Sequence, residues 1–302
     1  MKLNKKRKQP IIYVILVTYN PSIDDLIQNI NKLLNQKIFK ILIMDNSDNK
    51  SLSTKIAHLK STNIEVKTFG ENLGIAKAQS IGMKWAFENG ADFILQMDQD
   101  SIPSDDLVEK LLECYEKLSK KGYKIGLVGP QDFDKDTKEL NKARLKKGVF
   151  IENFNYVSVE QTLSSGSLIP KHVYDIVGGM DDKLFIDAVD SEYCWRIRKK
   201  GFLVIKNNDA LLAHKLGNGE KKIFGFLNVG VPNPIRHYYQ TRNTLLLLRR
   251  DYVPTYWKCS GIIKILFKLV VYPFTLNQGF ERFKYIIKGI KDGILGKSGK
   301  IS

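Results

Sequence analysis

Cysteine is scarce: Cys114, Cys194 and Cys259 are the three in 302 residues. The number is odd, the spacings are long and none is C-x-x-C. That excludes a disulfide framework and a thiolate metal site, and it fits a reducing, cytoplasmic compartment. Long apolar runs are missing too. The longest, Ile265 to Phe274, is broken by Lys268 and Pro273 and is too short to span a bilayer, which takes about 20 residues. Lys and Arg at the start lead directly into a strand-like run without an h-region, so no secretory signal is expected. Neither G-x-G-x-x-G nor G-x-x-x-x-G-K-[ST] occurs, which removes the dinucleotide fingerprint and the P-loop. There is no internal repeat.

Acid is also in short supply, with 32 Asp+Glu against 48 Lys+Arg and a net charge of +16. Such an excess suits a nucleic acid, an anionic membrane surface or a phosphorylated substrate. Its distribution discriminates among them. Lys2, Lys5, Lys6, Arg7 and Lys8 form a basic arm over residues 1–10. A second basic block runs from Lys258 to Lys300, opposed only by Glu281 and Asp292. Charge at two ends, without an aromatic-interleaved groove or a known binding motif, argues against nucleic acid as a partner. The remainder is ordinary for a globular protein, 43% hydrophobic and 26% charged, and long enough for a full core.

The pattern between the ends is alternating. Ile11 to Thr18 is a continuous apolar run, as for a strand covered on both faces. Ser22 then caps a helix with Ile23, Leu26, Ile27, Ile30 and Leu33 at helical spacing. Strands are expected at Lys40–Met44, Ile64–Phe69, Phe93–Met97 and Ile125–Val128, with helices at Ile75–Glu88 and, capped by Ser104, at Asp105–Lys120. Short loops between them predict an α/β, doubly wound, mostly parallel sheet with helices on both faces. Ligands bind such sheets beyond the strand C-termini. Three of those ends carry polar clusters: Thr18-Tyr19-Asn20, Asp45-Asn46-Ser47 and Asp98-Gln99-Asp100-Ser101.

After Pro130 the alternation fails. Gln131 to Lys147 reads as a polar surface excursion, Asn153 to Ser165 as a strand, and Phe202–Ile205 and Leu211–Ala213 as two short strands. Between them lie Ser165-Gly166-Ser167, whose small residues admit close approach of a ligand, and the acidic run Asp187-Ala188-Val189-Asp190-Ser191-Glu192.

Asp98 and Asp100 share a face of an extended backbone, so both can aim at one hard divalent cation, Mn2+ or Mg2+. An isolated D-x-D can equally be a strand terminator. Taken in order, Val17-Thr18-Tyr19-Asn20, Asp45-Asn46-Ser47, Glu71-Asn72-Leu73-Gly74-Ile75-Ala76, the D-x-D, Ser165-Gly166-Ser167 and the D-x-x-D-x-E run with Arg196 resemble a known family. It is that of the bacterial inverting glycosyltransferases of the GT-A fold, and the likeness covers roughly residues 11–250. Leu184-Phe185-Ile186-Asp187 and His214-Lys215-Leu216-Gly217 resemble its rhamnosyltransferase branch.

The resemblance implies roles for particular residues. Residues 11–130 would form the nucleotide-sugar half and 131–250 the acceptor half. Thr18, Tyr19, Asn20, Asp45, Asn72, Ala76, Asp98, Gln99, Ser165 and Gly166 would line the donor, with Asp45 accepting the imide N–H that uracil and thymine share. Asp45 as a mere loop cap is the alternative. Asp98, Asp100 and His214 would hold the metal, although a lone His is often structural. Asp190 would be the base that deprotonates the acceptor hydroxyl, with Asp187 the alternative. Val189 stands where the family commonly has Glu. Glu192 and Arg196 would orient the site or pair with each other.

The expected reaction moves a deoxysugar, L-rhamnose from dTDP-L-rhamnose, onto a lipid-linked glycan. Another nucleotide-sugar donor is the variant reading. A nucleotidyltransferase would need a Gly-rich basic loop where Tyr19-Asn20-Pro21 stands. The tail over residues 251–302 mixes lysines with aromatics and reads as an amphipathic helical region resting on an anionic inner leaflet. Such a protein would be cytoplasmic and peripheral on the inner face of the cell membrane. The plainer reading of the tail is a helix packed on the domain.

Overall fold

The computed structural model describes residues 9–49, 51–59, 61–141, 148–151, 153–214, 220–223, 225 and 227–302. The basic arm Met1 to Lys8, the end of the Gln131–Lys147 stretch and Lys215 to Gly217 lie outside the described residues.

The apolar run IYVILVT becomes β1 (Ile12–Thr18), and every residue of it is buried. Both faces are covered: Ile15 and Val17 pack with Ala78 and Met83, while Val14 and Leu16 pack with Leu26, Ile30, Leu107 and Leu111. α1 (Ile23–Leu34) supplies Leu26, Ile30 and Leu33 from one face. Each such side chain contributes about 1.5–3 kcal/mol when fully buried. Then come β2 (Lys40–Asp45), the short α2 (Leu52–Lys55), β3 (Ile64–Thr68), α3 (Ile75–Glu88), β4 (Phe93–Asp98), β5 (Ile102–Pro103), α4 (Leu107–Lys120) and β6 (Ile125–Asp134). The second half adds β7 (Val149–Phe150), β8 (Tyr156–Val159), β9 (Ser167–Pro170), α5 (Lys171–Val177), α6 (Val189–Lys199), β10 (Leu203–His214), β11 (Glu220–Ile223), β12 (Leu227–Gly230), α7 (Pro234–Leu248), α8 (Thr255–Thr275) and α9 (Gly279–Ile294).

The main sheet runs β3-β2-β1-β4-β9-β6-β10-β8-β7, with β5 on β10 and β11–β12 forming a separate ribbon. β3, β2, β1 and β4 are parallel. β9 is antiparallel between β4 and β6, and β6 is parallel to β10. Register decides where the polar ends fall: Thr18 lies beside Asp45, and Val17 beside Asp98. All three predicted clusters therefore emerge at one sheet edge.

Four local expectations change. The stretch Asn153–Ser165 is not one strand: β8 ends at Val159 and β9 starts at Ser167, separated by a polar loop that ends at Gly166 with φ +76. The two short strands expected after α6 are one, β10, with register shifts including one between Asn207 and Leu211. β6 carries on to Asp134, so Gln131 and Asp132 are buried rather than superficial. Burial of Asp132 is tolerated because the equally buried Lys206 Nζ donates to its Oδ1 at 2.9 Å. α4 starts at Leu107 with Asp106 at its cap, while Ser104 Oγ donates to Asp106 Oδ1.

The tail is part of the packed structure. Gly289 and Gly293 of α9 lie directly on α7, and a Cβ at Gly289 would sit 2.7 Å from the Tyr238 carbonyl. Tyr238 Oη donates to Asp292 Oδ2 at 3.0 Å. The opposite side of the same helices stays open, with Ile263, Leu266, Val270, Phe274 and Phe280 exposed. The tail thus packs on the domain by one face and leaves the other exposed. Among the described residues, no helix is long and apolar enough to cross a membrane.

Candidate active site

At the end of β2, Asp45 is wholly buried. Thr18 Oγ1 donates to its Oδ1 at 3.3 Å and the Ser47 N–H at 3.2 Å. Its Oδ2 has no partner in the protein. An unsatisfied buried carboxylate oxygen costs free energy unless a ligand donates to it. Around it the backbone is tied in place. The Tyr19 N–H donates to Gln99 Oε1 at 2.7 Å, and Gln99 Nε2 returns to the Tyr19 carbonyl at 3.3 Å. Asn20 takes φ 44, and its N–H donates to Ser47 Oγ at 2.9 Å. Asn72 Oδ1 accepts from Asn46 Nδ2 and the Gly74 N–H, so Asn72 shapes the rim. Ala76 is fully buried and its N–H goes to the Phe185 carbonyl at 3.3 Å. It offers no group to a ligand, contrary to the sequence expectation.

The D-x-D and the distant His214 meet. Asp98, Asp100 and His214 each bring a ligand atom to within 4.8 Å of the others. Two carboxylates and an imidazole suit Mn2+ or Mg2+, manganese in particular tolerating the nitrogen. The carboxyl of Asp98 is pushed up to about 7, chiefly by burial, with His214 opposing and Asp190 and Asp100 adding repulsion. Acids that repel one another at one point fit a cation. The geometry rests on serines: Ser165 Oγ accepts the Asp98 N–H at 3.1 Å and donates to Ser101 Oγ at 2.8 Å. Ser101 Oγ in turn lies 2.9 Å from His214 Nδ1. Gly166 follows with its N–H on the Gln96 carbonyl at 2.7 Å, holding this loop against β4. Ser101, noted in the sequence only as part of the D-x-D run, has no motif that reveals its link to His214.

The acidic run enters from the other side. Phe185, Asp187 and Ala188 all have positive φ, at 63, 71 and 62. Such backbone is strained for non-glycine residues and persists only where the surroundings fix it. Asn243 fixes it, its Nδ2 donating to the carbonyls of Leu184, Ile186 and Asp187 at 2.9, 2.7 and 2.9 Å. The buried Arg242 adds a bond to Leu184 O at 2.9 Å. Asp187 accepts from Arg236 Nε and Nη2 at 2.7 and 2.6 Å. Asp190, in the first turn of α6, is near enough to raise Asp98. Glu192 and Arg196 engage each other at 2.7 and 2.8 Å, Tyr252 Oη donates to Glu192 Oε1 at 2.7 Å, and Arg196 also bonds the Val177 and Gly179 carbonyls. That pair braces α6 against the loop before it.

Residues 13–166 match the family model described as glycosyl transferase family 2. The chain belongs to that family. The transferase is 34% identical over 295 residues to the dTDP-rhamnosyl transferase RfbF of Shigella flexneri, a match covering 95% of this chain and 97% of RfbF. Solved structures agree on the fold. The S. aureus TarS fragment 1-349, solved with UDP-GlcNAc, superposes with TM-score 0.57 at 14% identity, covering 94% of this chain and 81% of that one. GalNAc-T7, solved with UDP, GalNAc and Mn2+, gives TM-score 0.58 at 13% identity, covering 87% of this chain. The transferase spans only 57% of the GalNAc-T7 chain. The GT-A α/β architecture and the glycosyltransferase assignment expected from the sequence both stand.

Proposed function

We propose that the transferase moves L-rhamnose from dTDP-L-rhamnose to a lipid-linked glycan with inversion at the anomeric carbon. The observation that carries the reading is the convergence of Asp98, Asp100, His214 and Asp190, from three separate stretches, on one sheet edge. The likeness to a dTDP-rhamnosyl transferase over nearly the whole chain supports the donor. Asp45 Oδ2, buried and without a partner, would accept the thymine imide N–H. Uracil carries the same N–H, so a UDP-sugar is the competing donor.

Asp98, Asp100 and His214 would hold a divalent cation. When bound, that ion offsets the negative charge on the departing nucleoside diphosphate. Asp190 receives the proton of the acceptor hydroxyl as its oxygen attacks the anomeric carbon. The new C–O bond forms on the face opposite the one from which the diphosphate oxygen leaves, which inverts the centre. Asp187 is the weaker candidate for this base because both its oxygens already accept from Arg236.

The exposed apolar row of α8, with the exposed Lys264 on the same helix, supports attachment to an anionic membrane surface. The test of the donor is a panel of dTDP-rhamnose, UDP-glucose, UDP-galactose and UDP-N-acetylglucosamine, with and without Mn2+, read as released nucleoside diphosphate. Preference for a UDP-sugar, or turnover unaffected by EDTA, rejects the corresponding part of the reading.

A further inference from the structure

One cavity, of about 270 Å3, is lined by none of the candidate donor or metal residues. Asp187 from the loop before α6, Gln240 and Thr241 of α7, and Trp257, Lys264 and Lys268 of α8 line it. The two lysines are one helical turn apart and enter the same space. Lys268 Nζ donates to a neutral partner, Gln240 Oε1, at 2.6 Å. Asp187 is the one acid among these described lining residues, and Arg236 engages both its oxygens. Burial, opposed by Asp187 and reinforced by Lys264, pulls the Lys268 ammonium down to about 8. Within the lining, Lys264 and Lys268 thus stand against a single carboxylate, itself held by Arg236. Such a concentration of like charge is unfavourable by itself and favourable around an anion.

Position tells which anion. The cavity opens beside the loop that leads directly into Asp190, whereas the donor diphosphate belongs with Asp98 and Asp100. The same helix then exposes Ile263, Leu266, Val270 and Phe274. A molecule reaching both features carries phosphate next to an apolar chain.

We propose that this cavity binds the diphosphate through which the acceptor glycan is joined to its apolar chain, with Lys264 and Lys268 as the cationic partners. The proposal rests on the reading of Asp190 as the acceptor-side base, and it assigns the acceptor's phosphate a binding site of its own.

The test uses the full chain in EDTA, so that the carboxylate site holds no cation. Binding of farnesyl diphosphate, inorganic diphosphate and farnesol is followed by calorimetry for the wild type, Lys264→Met and the Lys264→Met/Lys268→Met double variant. Affinity for both diphosphates should fall at least tenfold in the double variant and about threefold in Lys264→Met, whose exposed side chain the fold does not need. Farnesol binding should not change. Wild-type affinity for farnesyl diphosphate in both variants overturns the proposal. Loss confined to phosphatidylglycerol vesicles, with farnesyl diphosphate binding intact, also overturns it and assigns the lysines to bilayer charge. dTDP binding with Mn2+, measured on the same proteins, tests the donor reading separately: its failure in the wild type would leave the lysine result standing.

Discussion

Ser101 Oγ lies 2.9 Å from His214 Nδ1, which leaves Nε2 as the imidazole nitrogen available to a cation. Ser165 Oγ donates to the same hydroxyl at 2.8 Å, so two serines from different loops hold the imidazole at the end of β10. Partners that orient metal-binding histidines are worth about 10–100-fold in metal affinity. Ser101→Ala should therefore weaken Mn2+ binding by about tenfold, and His214→Ala by more. Electron paramagnetic resonance titration of free Mn2+ measures both. Unchanged affinity in His214→Ala would remove the histidine from the ligand set, and in Ser101→Ala would remove the serine's orienting role.

The two acids proposed for the base separate by mutation. Asp190→Asn should retain dTDP binding and the wild-type melting temperature while transfer falls by about 10²–10⁴-fold. Asp187→Asn breaks a two-bond contact with Arg236 and loosens a loop of positive-φ residues. It should cost about 1.5–3 kcal/mol of stability and lower the melting temperature. Single-turnover transfer beside thermal melting distinguishes them. If Asp187→Asn alone abolishes transfer with its stability intact, the base is Asp187.

His237, next to Arg236 on α7, sets a pH dependence of stability. It is buried, and Arg282 Nη1 donates to its Nε2 at 2.8 Å. Burial, with Lys268, Arg282 and Arg236 nearby, lowers it from 6.5 to about 3. Below pH 6.5 the unfolded chain binds a proton that the folded one refuses. The stabilisation is therefore full above pH 6.5 and is lost as pH falls toward 3, at up to about 1.4 kcal/mol per pH unit. His237→Gln should flatten that slope in melts at pH 4.5, 5.5 and 7.5. A parallel slope in the variant would assign the acid sensitivity elsewhere.

The exposed row on α8 can be tested without removing the tail, whose other face supports α7. Leu266→Ser/Val270→Ser/Phe274→Ser should release the protein from phosphatidylglycerol vesicles in co-sedimentation while leaving its melting temperature within a few degrees. Retention on the vesicles would reject this face as the membrane contact.

On α9, any side chain at Gly289 meets the Tyr238 carbonyl. Gly289→Ala should destabilise by about 1–3 kcal/mol through overpacking, measured by urea titration. Neutrality would mean that the α7–α9 contact yields.

Much of the first half was decided by the sequence itself. Apolar runs ending in polar clusters specify buried parallel strands, and strands of one direction bring their C-terminal ends to one edge; Thr18, Asp45 and Asp98 follow from that alone. Residues i and i+2 on extended chain likewise put Asp98 with Asp100. Only the tertiary structure decided which distant groups join them. His214 reaches the acids because β10 runs unbroken past a bulge, and the Ser165–Ser101 relay forms because antiparallel β9 sits beside β4. The Arg236 that engages both Asp187 oxygens comes 49 residues further along. Local pattern carries no signal for such pairings, because side-chain partners across a fold are chosen by packing rather than by spacing. For the same reason the tail's composition could indicate two faces but not which would be buried: that depended on glycines at 289 and 293 meeting α7 closely enough to exclude water.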